Sequence, residues 1–131
     1  MYNKSNNKIY ITDDGFNNVN VYNELMQYQF SFGRFGQGPG EFSGISDITS
    51  DKDGNVYICD VRTKRITKFC SKGKFETMIK LNKDYIDTGT RIGVDSENRI
   101  IVGCPVDGKL ISVLDENGNV INQYGTWLEF N

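Results

Sequence analysis

The sequence contains no histidine, and it has only two prolines and three cysteines in 131 residues. Histidine is the side chain that titrates near neutral pH without any perturbation, so a general base in this chain would need a carboxylate or lysine with a shifted pKa. No pattern in the sequence singles out such a group. We therefore expect the chain not to be an enzyme, and we predict no catalytic residues.

The cysteines Cys59, Cys70 and Cys104 are an odd number and show no Cys-x-x-Cys spacing. This pattern fits neither a disulfide framework nor a zinc site. We interpret them as small buried apolar residues and predict three free thiols. A hairpin loop near residue 62 would place Cys59 opposite about Ile66 and not opposite Cys70. No metal and no cofactor are expected.

An excess of positive charge and long apolar runs are also missing. The formal net charge is -2, so no overall positive field favours nucleic acid as a partner. No segment approaches the roughly 20 apolar residues of a membrane-spanning helix, and the first residues lack the apolar core of a secretion signal. We expect no membrane insertion and no signal peptide in this chain.

Glycine and aromatic residues are abundant, with 14 Gly, eight Phe and seven Tyr beside many Val, Ile and Thr. This usage is typical of short strands that are joined by tight turns. The length and the 37% hydrophobic content are ordinary for one folded domain. We predict an all-β chain with a single domain.

A repeat with a period of about 45 residues runs through the chain. KIYITD (8–13), NVYICD (55–60) and RIIVGC (99–104) correspond to one another, and each is followed by a second apolar run at 18–22, 65–69 and 109–113. We align Tyr22, Phe69 and Val113 in these second runs. A third run follows at 25–33, 74–81 and 119–125, and a short strand precedes two of the repeats. Each repeat therefore predicts four short strands.

The turns and the apolar positions of this repeat indicate how its sheets pack. Asp53-Gly54 and Glu97-Asn98 occupy two-residue hairpin loops, where Gly and Asn best tolerate positive φ. In the second strand of each repeat, the positions that would be polar in a half-exposed sheet are Tyr10, Tyr57 and Ile101, and they are apolar as well. Both faces of each sheet are thus suited to burial, which favours sheets stacked face to face around an axis.

The segment 32–69 carries the residues that resemble a known family. FGRFGQGPGEF (32–42), then Ile45 and Ile48, DKDGNVYICD (51–60) and KRITKF (64–69) resemble the NHL repeat and bacterial six-bladed β-propellers. The resemblance implies four-stranded antiparallel blades at about 1–42, 43–82 and 83–131, which is half of a six-bladed propeller. Asn18 and Cys104 depart from the pattern at the positions of Arg65 and Asp60. Relatives of this kind suggest the cell envelope or periplasm of a bacterium.

Two segments imitate ligand-binding motifs. The glycine-rich stretch 33–40 lacks the Gly-Lys-Ser/Thr ending of a phosphate loop and precedes a strand, so we interpret it as a connector between blades. Asp51, Asp53 and Asn55 imitate the start of a calcium loop, but its twelfth position is Arg62 where Glu is needed. We predict a hairpin turn there.

Blade 2 also contains a basic run without acidic residues, and its cations are Arg62, Lys64, Arg65, Lys68, Lys72 and Lys74. Strand alternation sends some of these side chains to opposite faces, so we favour a solvated surface over contact with nucleic acid or another anionic ligand. Tyr28, Phe30 and Phe32 alternate along one strand and are predicted to pack between blades.

In a propeller, the turns between second and third strands share one rim with the connectors between blades, and ligands commonly bind there. The rim would carry Asp14, Phe16 and Tyr85 together with the residues that we predict as ligand contacts. These contacts are Asp13, Asn17, Arg34, Gln37, Asp60, Arg62, Lys64 and Arg91. We expect a non-catalytic binding module for a protein or glycan partner. A self-assembling segment of a larger propeller and an RNA-binding NHL-like module are the alternatives.

The number of blades leads to an expectation about assembly. Two copies of a three-bladed chain would supply six blades, and the open faces would expose apolar side chains such as Ile9, Ile11, Val113 and Trp127. We expect a homodimer in which blade 3 of one chain covers blade 1 of the other, because a symmetric pairing leaves no free face. The alternative is that the missing blades lie on a longer chain.

Overall fold

A computed structural model describes residues 1–82, 86–104 and 110–125, and it shows three four-stranded antiparallel sheets. Blade 1 consists of β1 (Tyr2–Asn3), β2 (Lys8–Asp13), β3 (Asn18–Tyr22) and β4 (Tyr28–Phe32). A short parallel pair follows, formed by β5 (Arg34–Phe35) and β6 (Glu41–Phe42). Blade 2 consists of β7 (Ile45–Ser50), β8 (Val56–Asp60), β9 (Arg65–Phe69) and β10 (Phe75–Lys80). Blade 3 consists of β11 (Arg91–Val94), β12 (Ile100–Cys104), β13 (Leu110–Leu114) and β14 (Val120–Tyr124).

Hairpin turns form at the predicted places, but their loops have three residues, 52–54 and 96–98, instead of the predicted two. A carboxylate organises each of these turns. Gly54 and Asn98 have φ values of 85° and 61°, as their loop positions require. Oδ1 of Asp51 accepts hydrogen bonds from the backbone N–H groups of Asp53 and Asn55 at 2.9 and 3.0 Å. Asp95 and Asp115 bind the backbone of their own turns in the same way. The calcium-like residues thus form a turn.

Aromatic and aliphatic side chains fill the interface between blades 1 and 2. Tyr10, Val19 and Val21 of blade 1 are buried against Val56 and Ile58 of blade 2. Three phenylalanine rings complete this cluster, and they belong to blade 1, the connector and blade 2, respectively: Phe32, Phe42 and Phe69. The glycine-rich connector therefore delivers one of its own side chains to the interface, as an interblade segment should.

Aliphatic residues dominate the interface between blades 2 and 3. Ile66 and Ile79 of blade 2 pack with Ile100, Val102 and Leu114 of blade 3. Tyr57 and Cys59 lie in the same cluster, on the face of β8 opposite to Val56 and Ile58. Because blade 2 is covered on both faces, all five residues of β8 are buried. This explains the unbroken apolar run of its sequence.

The structure corrects two expectations from the sequence, one on the alignment of the repeats and one on the burial of an aromatic residue. Ile100 pairs with Leu114 where Val56 pairs with Phe69, so Leu114 and not Val113 is the counterpart of Phe69. The segment between β12 and β13 is one residue longer than its counterpart in blade 2, and this shifts the register. The second correction concerns Tyr28, which is 59% exposed and does not pack between blades, whereas Phe32 is buried and Phe30 partly so.

The outer faces of blades 1 and 3 carry exposed isoleucines. Ile11 of β2 is exposed, and so are Ile101 and Ile111 of β12 and β13. Ile9 and Val113, which were predicted for these faces, are half-buried. Trp127 and Tyr85 lie outside the described residues.

The three cysteines form no disulfide, and Cys59 lies opposite Ile66, as predicted. Cys59 and Cys104 are buried, whereas Cys70 is half-buried and lies at the start of an exposed turn. The described parts of the chain contain no helix that is long and apolar enough to cross a membrane.

Candidate functional site

The turn between β8 and β9 is held by the carboxylate of Asp60, which is fully buried. Its Oδ1 accepts hydrogen bonds from the N–H groups of Arg62 and Thr63 at 3.0 and 3.1 Å and thereby caps the turn. The connector donates two more hydrogen bonds to this carboxylate, from the Ser43 N–H to Oδ2 at 2.7 Å and from the Gly44 N–H to Oδ1 at 3.1 Å. One carboxylate therefore fixes the rim turn of blade 2 against the segment that arrives from blade 1.

Arg65 fixes the other end of the connector. Its guanidinium donates hydrogen bonds to the carbonyl oxygens of Gln37, Gly38 and Glu41 at 2.7, 2.8 and 3.0 Å. The Glu41 carboxylate accepts hydrogen bonds from the Gly38 N–H and from Nε of Arg34. The Gly38 N–H, followed by Arg34, lowers the pKa of Glu41 below its ordinary value. The glycine-rich loop is thus held in one conformation by charged side chains on both sides.

A depression of about 370 Å³ opens on this rim, between the turn of blade 1 and the start of β7. We call it the rim depression. Its lining combines one exposed aromatic ring with a cation, a carboxylate, an amide and several hydroxyl groups. The lining residues are Asp14, Asn17, Phe35, Ser43, Gly44, Ile45, Ser46, Val61, Arg62 and Thr88.

The eight predicted contact residues divide into two groups. Asn17 and Arg62 line the rim depression, and Arg62 also lines a second depression together with Gln37. Arg34 lies at the exposed edge of the connector in its ion pair with Glu41, where 81% of its side chain is accessible. These four residues are available to a ligand.

The other four predicted residues are used within the fold. The Asp60 carboxylate is buried and fully hydrogen-bonded, and Oδ1 of Asp13 binds the N–H groups of Gly15 and Phe16 in the equivalent turn of blade 1. Nζ of Lys64 donates to the carbonyl oxygen of Ile86 at 3.4 Å. Arg91 donates to the carbonyl oxygen of Ser46 at 3.3 Å and so bridges blades 2 and 3.

Sequence reasoning missed several residues of the rim depression, above all Phe35. Phe35 lies in β5, and 69% of its surface is exposed although it is a large apolar side chain. The serine and threonine hydroxyls of Ser43, Ser46 and Thr88 were missed as well, because single hydroxyl residues carry no motif. Phe35 could have been noticed, since it interrupts a stretch of glycines that otherwise serves only as a connector.

The shifted pKa values do not produce a general base. The carboxyl groups of Asp95 and Asp115 have lowered pKa values, as Glu41 has, mainly because backbone N–H groups of their turns stabilise the charged form. Burial raises the pKa of the Cys59 thiol to about 11, so this thiol stays protonated at neutral pH. The described residues contain no group of three or more potential metal ligands.

The fold is shared with several solved structures. A streptogramin B lyase superposes with a TM-score of 0.70 at 16% identity, covering 96% of this chain and 39% of the lyase. A hydrazine synthase from Kuenenia stuttgartiensis gives 0.71 at 11% identity, covering 96% of this chain and 36% of that one. A catalytically inactive virginiamycin B lyase from Staphylococcus aureus, solved with quinupristin, gives 0.68 at 17% identity, with 93% and 39% covered. At these identities the likeness concerns the fold alone.

The chain spans well under half the length of each of these proteins. No curated protein matches the sequence. Residues 3–125 match the family that is described as a 6-bladed beta-propeller. With its three four-stranded blades packed face to face, the chain belongs to this 6-bladed beta-propeller family.

Proposed function

We propose that the chain is a non-catalytic binding module that holds a protein partner at the rim depression. The observation that carries this proposal is the exposed Phe35 ring beside Arg62, on a rim that is fixed by Asp60 and Arg65. Aromatic residues and arginine are enriched where proteins bind one another. Phe16, which is 76% exposed, lies in the same turn as the lining residues Asp14 and Asn17.

The rigidity of the rim supports the same proposal. The connector and the turn of blade 2 are tied together by seven hydrogen bonds to Asp60 and Arg65. A surface that is already ordered loses less conformational entropy on binding, which increases affinity. The hydroxyl and amide groups of the depression also suit a glycan, which is the alternative partner.

The non-catalytic part of the proposal is supported by the chemistry of the side chains. The sequence has no histidine. The carboxyl groups whose pKa is shifted in the described residues are weaker bases than usual, because the shift is downward. These groups are poor candidates for proton abstraction near neutral pH.

A comparison of two single alanine variants tests the binding site. Proteins captured by the immobilised full chain are compared with those captured by the Phe35→Ala variant and by the control variant Leu25→Ala. Leu25 is also exposed, but it lies in the β3–β4 turn at the opposite end of blade 1. Loss of an anchoring aromatic ring should weaken capture about tenfold in Phe35→Ala and leave the control unchanged.

The remaining outcomes decide against the proposal or redirect it. Equal capture by both variants would contradict the rim depression as the site. Binding to a glycan array that depends on Phe35, without a Phe35-dependent protein, would overturn the protein partner in favour of the glycan. The double variant Arg34→Ala, Arg62→Ala should also weaken capture without changing the circular-dichroism spectrum.

We also propose that a second copy of the chain covers the open faces of blades 1 and 3. The exposed Ile11, Ile101 and Ile111 on these faces favour this second role, because buried faces between blades carry the same residue types. Two three-bladed copies supply the six blades of the family. Light scattering at micromolar concentration should give twice the monomer mass. A folded monomer would contradict the dimer, and aggregation that is cured by adding downstream sequence would favour blades on the same chain.

A further inference from the structure

We propose that a second depression, on the outer side of the same rim, binds an oxyanion such as a carboxylate or phosphate group. We call it the basic depression. It has a volume of about 500 Å³ and is lined by Gln37, Arg62, Thr63, Arg65, Met78 and Lys80. Three of these six residues are cations, and none is acidic. Oxyanions are the groups that arginine and lysine side chains bind most strongly.

The strand register brings two of the cations together. Lys80 at the end of β10 lies directly opposite Arg65 at the start of β9. Like charges at directly opposed positions of an antiparallel pair destabilise the sheet. An oxyanion between the two side chains would turn this repulsion into attraction.

The described structure does not neutralise these cations. None of its ion pairs includes Arg62, Arg65 or Lys80. The Glu41 carboxylate acts on Arg65 electrostatically, but Arg34 and the Gly38 N–H already occupy its oxygens. Asp60 lies directly opposite Arg65 on β8, but its oxygens are occupied by four backbone N–H groups. With three cations and no acidic residue in its lining, the basic depression keeps a net positive charge.

Arg65 is also positioned before any ligand arrives. Its three hydrogen bonds run to backbone carbonyl oxygens, which fix the guanidinium without cancelling its charge.

The basic depression is separate from the rim depression, although Arg62 lines both. Lys80 and Met78 belong to the outermost strand of blade 2 and take no part in the rim depression. The anion site therefore does not rest on the proposed protein partner, and Lys80→Gln tests it without changing a residue of the rim depression.

Titration of the ¹⁵N-labelled full chain with inorganic phosphate and with acetate, at constant ionic strength, tests the site. Saturating shifts of the Thr63 and Lys80 amide signals are expected with at least one of the two anions. The stronger of the two responses identifies the preferred source of the oxyanion. Linear shifts that do not saturate with either anion would overturn the proposal.

Matched lysine variants locate the bound anion. Lys80→Gln should weaken binding about three- to fivefold, because one partly exposed charge contact is lost. Lys72→Gln removes the same charge at the opposite end of the β9–β10 hairpin and should leave binding unchanged. Equal weakening in both variants would show only a general charge effect and would overturn the site.

Two more variants keep the test decisive. Arg62→Gln should weaken anion binding as Lys80→Gln does, which covers the case that one of the two variants does not fold. Phe35→Ala should leave anion binding unchanged even where it abolishes capture of a protein partner. Weakening by Phe35→Ala but not by Lys80→Gln would place the anion in the rim depression and contradict the proposal.

Discussion

The two junctions between blades are built from the same sequence repeat but are held in different ways. The first junction, between blades 1 and 2, combines a phenylalanine cluster with the buried polar residues Asp60 and Arg65. The second junction, between blades 2 and 3, is mainly aliphatic, and the hydrogen bonds that cross it among the described residues are donated by Lys52, Lys64, Arg91 and the Ile92 N–H. Among these, Oδ2 of Asp47 accepts a hydrogen bond from the Ile92 N–H at 2.9 Å.

The difference follows the connectors. The first junction is crossed by a glycine-rich loop whose carbonyl and N–H groups need partners, and Asp60 and Arg65 supply them. At the corresponding positions of blade 3 the sequence has Cys104 and Leu110, and the Cys104 thiol donates a hydrogen bond to Oδ2 of Asp87 in the segment between blades 2 and 3. The apolar contacts of a junction are thus common to the repeat, whereas the buried charged residues occur where the glycine-rich loop needs partners.

The largest effect is expected for the capping carboxylates. Asp60→Ala should lower the free energy of unfolding by about 4 kcal/mol, because four backbone N–H groups lose their acceptor in a buried site. The matched change Asp13→Ala should cost about 1 kcal/mol, since only the two N–H groups of its own turn are affected. Urea denaturation of both variants measures the difference, and equal losses would show that the ties to the connector contribute nothing.

A smaller loss is expected at the other end of the connector. Arg65→Met should cost about 3 kcal/mol, because three carbonyl oxygens lose a charged donor while the apolar packing is largely kept. Arg99→Met is the control, as Arg99 is an exposed arginine in an ion pair with Asp95 in a turn of blade 3. Its denaturation midpoint should stay close to that of the unchanged chain. A large loss in the control would contradict the distinction between the two junctions.

The first junction should also depend on pH. The lowered pKa of Glu41 means that folding favours its charged form. Its stabilising effect is therefore complete above the ordinary pKa of a glutamate and is lost as the pH falls through the folded-state value. NMR titration of the carboxyl carbon should show this low midpoint. Arg34→Gln should raise it only part of the way, because the Gly38 N–H, which is the larger cause, remains.

The smallest effect concerns the thiols. In denaturant, all three cysteines should react with a thiol reagent, because no disulfide is present. In the folded chain at pH 8, Cys59 should remain unreactive, since it is buried between blades 2 and 3 and its pKa is about 11. Cys70, which is half-buried beside an exposed turn, serves as the reactive control. Detection of a single thiol under denaturing conditions would contradict the free cysteines.

The strands and the order of the blades were predictable because apolar alternation and turn residues are local signals. Positive φ at Gly54 and Asn98 follows directly from the residue types that tolerate it. The predicted alignment of blade 3 was wrong by one residue at Val113. The segment before β13 is one residue longer than in blade 2, and the apolar pattern of the sequence does not reveal this difference. Tyr28 was placed in the interface because periodicity cannot say how far a neighbouring blade extends.

The candidate site was less predictable than the fold. The motif residue Asp60 was expected to face a ligand, but its four hydrogen bonds are directed into the chain. Lys80 was not considered, because it becomes a neighbour of Arg65 only through the pairing of β9 with β10. Positions of this kind depend on contacts between distant segments, which a single sequence does not display.

The aspartate-capped hairpin turns at Asp51, Asp95 and Asp115 have a consequence for the kinetics of folding. Each turn is closed by hydrogen bonds between residues two and four positions apart, without help from another blade. Contacts of such short range form quickly, because little loop entropy is lost. These turns give blades 2 and 3 their own starting points, and Oδ1 of Asn23 accepts the same pair of short-range hydrogen bonds in the β3–β4 turn of blade 1. Folding can therefore begin in any of the three blades and spread to its neighbours, as in other repeat proteins.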